Sequence, residues 1–239
     1  MSAALQNLCV IFDIDGTLCD TNAVDDQCYR CAAAAALGIP KAQVDWASVD
    51  EITDSAIARC LWQRHRTRAP SPAEMKAFQF DFVRRLQAEQ LTDAERFQPV
   101  RAAPTFLDSL GRAGAIVGIG TGGWRLSAEF KLRTAGIPTE LLYATADDSE
   151  VRTDIFSLAY QRARAKDVAS LDTVFVGDTV RDVATARRLE WRFLGIGSGP
   201  KATELRVAGA HTVVPDYVAL EPKTLLERTF VPPAGLTRA

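Results

Sequence analysis

The sequence lacks any apolar run as long as a membrane-spanning helix requires, and its start lacks the charged segment and apolar core of a secretion signal. It also has little net charge, −2 from 28 basic and 30 acidic residues. Neither nucleic acid nor an anionic membrane is therefore an expected partner. Five cysteines, an odd number, fit reduced thiols better than a disulfide framework. These absences predict a cytoplasmic protein.

The chain alternates between predicted strands and helices, with one interruption. A chain of 239 residues with 47% apolar content can bury a large core and exceeds a typical single domain. Short apolar runs predict strands, and convincing strand patterns are scarce from residue 20 to residue 97. The predicted strands are 9–12, 115–119, 141–144, 173–176, 193–196 and 212–214. The predicted helices are 25–37, 49–65, 72–90, 105–112, 126–135, 153–165, 183–189, 204–208 and 216–226.

Two carboxylates follow the first predicted strand. Asp13 and Asp15 stand one residue apart before a Gly-Thr pair, so in extended backbone both side chains point to one side. They would lie in the crevice beyond the carboxyl end of a central strand, where open α/β sheets bind ligands. Like charges this close require a cation or a shared proton. The stretch therefore predicts a divalent-metal site with a carboxylate left for chemistry.

Two later strands also end in polar turns. Thr121 and Gly122 come between a strand and a helix, where glycines expose backbone N–H groups and the helix N-terminus attracts phosphate. Asp178 and Asp182 follow the strand at 173–176 and would complete an oxygen-rich Mg²⁺ site with Asp13.

These three segments, in this order, resemble the first, second and fourth motifs of the haloacid dehalogenase superfamily. The resemblance implies a Rossmann-like α/β core with a parallel sheet, residues 1–20 and 98–239, and an inserted all-helical cap, residues 21–97. It implies Asp13 as nucleophile and Asp15 as general acid and base. Mg²⁺ would be held by Asp13, the Asp15 backbone carbonyl and Asp178, with Asp182 in or near the shell.

This chain departs from the third motif of the family, because no lysine stands before the predicted helix at 153–165. Strict counting puts Glu150 in the place of that lysine. Arg152 is the preferred stand-in, since arginine holds phosphate with two hydrogen bonds and keeps its proton. Thr121, the backbone around Gly122 and Arg152 would then bind the phosphoryl oxygens.

The resemblance predicts an enzyme that hydrolyses a small phosphorylated metabolite through an aspartyl-phosphate. Two alternatives stay open: a phosphomutase similar to β-phosphoglucomutase, and a non-catalytic binding protein that kept the fold. Aspartate at position 15 argues against the dehalogenase branch. We expect a monomer or a homodimer, and the sequence does not identify the substrate.

Basic and aromatic residues in the predicted cap allow two interpretations. The cluster of five basic residues from Arg59 to Arg68 fits a solvated helix end better than a site for an anionic substrate group. Trp46 and Trp62 fit packing within the cap better than the lining of a substrate cavity.

Overall fold

The computed structural model describes residues 5–46, 49–164 and 172–228. Six parallel strands form one sheet in the order β3-β2-β1-β4-β5-β6. The strands are β1 Leu8–Phe12, β2 Ile116–Gly120, β3 Leu142–Ala144, β4 Asp172–Gly177, β5 Arg192–Ile196 and β6 Thr212–Val214. The parallel α/β architecture predicted from the sequence is confirmed.

The first strand lies near the middle of the sheet because its side chains are apolar on both faces. All five residues of β1 are buried, as in strands that are covered by helices on both sides. Its register pairs Phe12 with Ile119 of β2 and with Val176 of β4. The carboxyl ends of these three strands therefore meet at one edge, and the loops that follow them lie side by side.

Helices cover the sheet and form a separate block between β1 and β2. The block contains α1 Asn22–Leu37, α2 Asp54–Arg66 and α3 Pro72–Thr92. The helices after it are α4 Ala103–Arg112, α5 Arg125–Thr134, α6 Arg152–Ala163, α7 Val180–Arg188, α8 Gly199–Val207 and α9 Thr224–Arg228. None of the described helices is long and apolar enough to cross a membrane.

The helical block has an apolar core of its own. Tyr29 of α1 contacts Phe78 and Phe82 of α3, with ring centroids 5.0 and 5.4 Å apart, and stacks on Trp124 from the loop after β2. Trp62 stacks on Phe78, as expected for a packing residue. The block is the helical cap expected of the fold, and its limits at residues 21 and 97 stay a prediction.

Three predicted helices begin five or more residues away from the observed ones. The helix predicted at 49–65 begins only at Asp54, because Thr53 is extended and its hydroxyl accepts from the Ala56 N–H as an N-cap. The helix predicted at 204–208 begins at Gly199, with a proline in its first turn, where the missing N–H costs nothing.

The terminal helix predicted at 216–226 is wrong over most of its length. Only Thr224–Arg228 is helical. The preceding residues form turns, in which Asp216 accepts from the Val218 N–H and Tyr217 is buried against Phe106. Burial of one tyrosine thus determines the backbone of this segment more than its apolar spacing does.

Candidate active site

The carboxylates after β1 and β4 converge at the carboxyl edge of the sheet. One oxygen from each of Asp13, Asp178 and Asp182 lies within 4.8 Å of the others, and all three residues are buried. Asp13 and Asp178 also line a cavity of about 210 Å³ between the sheet edge and the helical block. Three of the four predicted metal-binding aspartates are therefore within reach of one ion.

Gly16 allows this convergence by its backbone and by its size. Its φ is +70°, which side-chain-bearing residues rarely adopt. A Cβ there would lie 2.0 Å from Asp178 Oδ2 and 2.1 Å from Asn22 Nδ2. Asn22 Nδ2 itself donates to Asp178 Oδ2 at 2.9 Å. Gly16 thus brings the loop after β1 into direct contact with the loop after β4.

The carboxylates differ in how their oxygens are used. Asp182 Oδ2 accepts from the N–H groups of Asp178 and Thr179, at 3.1 and 2.9 Å, and Asp182 Oδ1 accepts from Arg152. Asp178 Oδ2 is bound by Asn22 and by Lys201 of α8. Asp178 Oδ1 is buried and has no hydrogen-bond partner among the described residues.

The carboxylate oxygens of Asp13, Asp178 and Asp182 form a group that fits a divalent cation. A buried oxygen without a donor is costly, and a cation among three carboxylates satisfies it. Burial, together with the charges of Asp182, Asp178 and Asp15, raises the pKa of Asp13 to about 8 in the absence of a metal, although Arg152 lowers it. A bound divalent ion would keep Asp13 ionised.

Asp15 lines the same cavity but has different partners from Asp13. Its Oδ1 accepts from the Thr21 hydroxyl at 2.6 Å, and its Oδ2 accepts from Lys131 Nζ at 2.5 Å. The Asp15 carboxylate is thus outside the group of oxygens shared by Asp13, Asp178 and Asp182. This is consistent with the prediction that Asp15 approaches a metal only through its backbone carbonyl.

Arg152 lies beside Asp13 and Asp182. It begins α6, and its guanidinium donates to Asp13 Oδ2 at 3.2 Å and to Asp182 Oδ1 at 2.5 Å. Two carboxylates raise its pKa further above the usual range of arginine, although burial acts in the opposite direction. Glu150 instead pairs with Arg59 of α2 and does not line the cavity.

Thr121 and Gly122 form the wall of the cavity beside Arg152. Thr121 is buried, and its hydroxyl oxygen accepts from the Gly123 N–H at 3.0 Å, which leaves the hydroxyl proton for a ligand. A Cβ at Gly122 would lie 2.8 Å from Arg152 Nη1. The turn therefore depends on glycine for the close approach of the guanidinium.

Sequence reasoning missed a buried lysine beside Asp15. Lys131 of α5 is 1% exposed, and its ammonium binds both Asp15 Oδ2 and, at 2.7 Å, Asp25 Oδ1 from α1 of the helical block. The signal was present in the sequence, because Lys131 shares a helix face with the buried residues Ser127, Ala128 and Leu132. A lysine on an apolar helix face requires buried carboxylate partners.

The structure also shows the contacts of the basic cluster and of Trp46 in the helical block. Of the basic cluster, Arg59 pairs with Glu150 and Arg68 pairs with Glu74, and none of its five members lines the cavity. Arg59 and Arg68 thus make exposed ion pairs, and the cluster does not face the cavity. Trp46 does line the cavity, and its indole N–H donates to Asp26 Oδ1, so the expectation that it only packs is wrong.

Comparisons with solved structures identify the fold. The chain is similar to CbbY from Rhodobacter sphaeroides in complex with phosphate, at 22% identity and a TM-score of 0.64, with 92% of this chain and 98% of that chain covered. It is similar to a phosphonoacetaldehyde hydrolase-like protein from Oleispira antarctica, at 17% identity and a TM-score of 0.67, with 95% and 94% covered.

A putative β-phosphoglucomutase from Bacteroides vulgatus is also similar, at 16% identity and a TM-score of 0.59, with 93% and 88% covered. No curated protein matches the chain in sequence. The family model of the haloacid dehalogenase-like hydrolases matches residues 8–189. This range includes the three segments that contain Asp13, Thr121 and Asp178. The chain belongs to the haloacid dehalogenase-like hydrolases.

Proposed function

We propose that this protein is a Mg²⁺-dependent phosphatase that hydrolyses small phosphomonoesters through an aspartyl-phosphate on Asp13. The observation that carries the proposal is the division of labour between the two carboxylates of the first loop. Asp13 faces Asp178, Asp182 and Arg152, whereas Asp15 is held apart by Thr21 and Lys131 in the same cavity. We therefore assign attack on phosphorus to Asp13 and proton exchange to Asp15.

In the first step an Asp13 carboxylate oxygen forms a bond to phosphorus while the bond to the leaving oxygen breaks. Asp15 gives its proton to that oxygen and the alcohol departs. A water molecule then attacks phosphorus, Asp15 takes the proton of that water, and inorganic phosphate leaves with Asp13 restored. Thr121 and Arg152 stabilise the transferring oxygens by donated hydrogen bonds.

Asp13, Asp178 and the Asp15 carbonyl would hold Mg²⁺, which neutralises charge between the nucleophile and the phosphoryl group. Both oxygens of Asp182 are already bonded, one to backbone and hydroxyl donors and one to Arg152. Asp182 is therefore proposed mainly to orient Arg152 and the loop of Asp178. Mg²⁺ is preferred over larger ions because a compact set of carboxylate oxygens suits it. The phosphate bound in the CbbY structure supports a phosphorylated ligand.

The test is release of inorganic phosphate from a panel of phosphorylated metabolites, with Mg²⁺ and with a chelator. We expect release only with the metal, and we expect Asp13→Asn to abolish turnover. Asp15→Ala should slow hydrolysis by about 10²–10⁴-fold, as for a lost acid and base.

The same reactions distinguish the alternative activities. Isomerised sugar phosphate without free phosphate would identify a phosphomutase instead. Binding of Mg²⁺ with no turnover of any ester would identify a non-catalytic protein. Wild-type rates in Asp13→Asn would remove Asp13 as the nucleophile.

A further inference from the structure

The cavity has two walls of different charge. The sheet-edge wall carries the two cations of the lining, Arg152 and Arg181. We call the lining residues between positions 22 and 57 the cap wall. The cap wall contains three acidic residues, Asp25, Asp26 and Asp54, and no Lys, Arg or His among its described members. A second anionic group on the substrate would meet three carboxylates and no basic side chain among the described residues of this wall.

The three acids of the cap wall differ in their ion-pair partners. Asp25 binds Lys131, and Asp26 binds Arg30 with both carboxylate oxygens. Asp54 makes no ion pair among the described residues, although it is only 8% exposed. Burial above all, with the charges of Asp25 and Asp15, holds the pKa of Asp54 well above its usual range, although the charge of Lys131 and the hydrogen bond from the Trp124 N–H lower it. A cationic group in the cavity would offset this rise.

Hydrogen bonds hold Asp54 against the turn of Thr121 and Gly122, which is proposed to bind phosphate. Its N–H donates to the Gly122 carbonyl at 2.7 Å, and its carboxylate Oδ2 accepts from the Trp124 N–H at 2.9 Å. Its own carbonyl accepts from the Tyr29 hydroxyl at 2.7 Å. These three bonds hold Asp54 in the lining of the cavity beside Gly122 and Gly123.

We propose that the substrate is a phosphomonoester of a small amino alcohol, whose protonated amine is bound by Asp54. The inference rests on the proposed phosphatase function and names its substrate class. Hydrolysis consumes one water and yields the amino alcohol and inorganic phosphate. The cavity of about 210 Å³ accommodates a leaving group of this size. Trp46 on the cap wall already holds one cation, because the guanidinium of Arg30 lies 4.2 Å from its ring centroid.

The same wall disfavours substrates with a second anionic group. Transfer of a phosphoryl group between two positions of a sugar phosphate requires both phosphoryl groups in one cavity. A carboxylate on the leaving group would likewise face Asp25 and Asp54. We therefore expect esters of this kind to be poor substrates.

The experiment compares three phosphomonoesters of nearly equal size with Mg²⁺ present: 2-aminoethyl phosphate, 2-hydroxyethyl phosphate and phosphoglycolate. An aryl phosphate, 4-nitrophenyl phosphate, reports activity without specificity. We expect kcat/KM for the amine to exceed that for the hydroxyl by about ten- to a hundredfold, the value of a charge-assisted hydrogen bond. Phosphoglycolate should be the poorest of the three.

Asp54→Asn separates recognition from packing, because an amide oxygen still accepts from the Trp124 N–H while the negative charge is removed. In this variant the ratio of kcat/KM for amine over hydroxyl should fall toward one. Asp54→Glu, which keeps the charge, should retain a preference for the amine. Asp81→Asn on α3, whose carboxylate pairs with Arg84 and Arg85, is the matched control and should leave the ratio unchanged.

Each outcome supports or overturns the inference. Hydrolysis of the aryl phosphate with no preference for the amine in the wild type would overturn it and leave the phosphatase proposal intact. A preference for phosphoglycolate would also overturn it and would assign leaving-group recognition to Arg181. No hydrolysis of any of the four esters would overturn the phosphatase proposal, and with it the inference.

Discussion

Replacement of Lys131 by methionine should destabilise the protein strongly, because it leaves a buried carboxylate without its cation. The Lys131 ammonium lies 2.5 Å from Asp15 Oδ2 and 2.7 Å from Asp25 Oδ1, and the side chain is 1% exposed. Removing one partner of a buried ion pair costs about 3–5 kcal/mol. Methionine has a similar volume, so lost packing contributes little to this value.

The measurement is the free energy of unfolding from urea titration, at pH 8 and at pH 5. The pKa of Asp25 is already raised to about 6 by burial despite the lysine. Without Lys131 its folded-state pKa rises further above the unfolded value. Asp25 then binds a proton at pH 5, and the cost of Lys131→Met should be smaller there than at pH 8.

An exposed ion pair supplies the control. Arg112 and Asp108 pair four residues apart on α4, with side chains 70% and 63% exposed. Arg112→Met should change stability by less than about 1 kcal/mol. A loss below about 1 kcal/mol in Lys131→Met at pH 8, or a larger loss at pH 5 than at pH 8, would refute the reasoning.

Two further predictions concern the metal site. Gly16→Ala should weaken Mg²⁺ binding and lower the melting temperature, because its Cβ would overlap Asp178 Oδ2 at a φ of +70°. Gly111→Ala in α4 meets no atom within 4 Å and should be neutral or stabilising, and equal effects of the two changes would contradict this account. Metal-free protein should lose stability as pH rises from 5 to 8. The pKa values of Asp13 and Asp25, about 8 and 6, exceed their unfolded values, so the folded state binds more protons in this range. Urea titrations across the range check the sign, and a gain in stability toward pH 8 would contradict it.

The sequence alone predicts the features of the fold that depend on residues close together in the chain. The apolar run before Asp13 predicts a buried strand, and β1 is buried throughout. Turns after parallel strands meet at one edge, so the sequence also predicts that Asp13, Thr121 and Asp178 line one crevice. The family follows from the order of these motifs. The terminal helix fails as a prediction because burial of Tyr217 outweighs local helix preference.

Tertiary structure decided which charges share the site. Strict counting puts Glu150 at the expected lysine position and Arg152 two residues later. Only the tertiary structure directs Arg152, at the start of α6, to Asp13 and Glu150 to Arg59. Lys131 and its partner Asp25 are 106 residues apart in the chain. Asp54 accepts a hydrogen bond from the N–H of Trp124, which is 70 residues away. The partners of a buried charge are chosen by packing across the chain, because the low dielectric of the interior requires each charge to be compensated by whatever element lies against it.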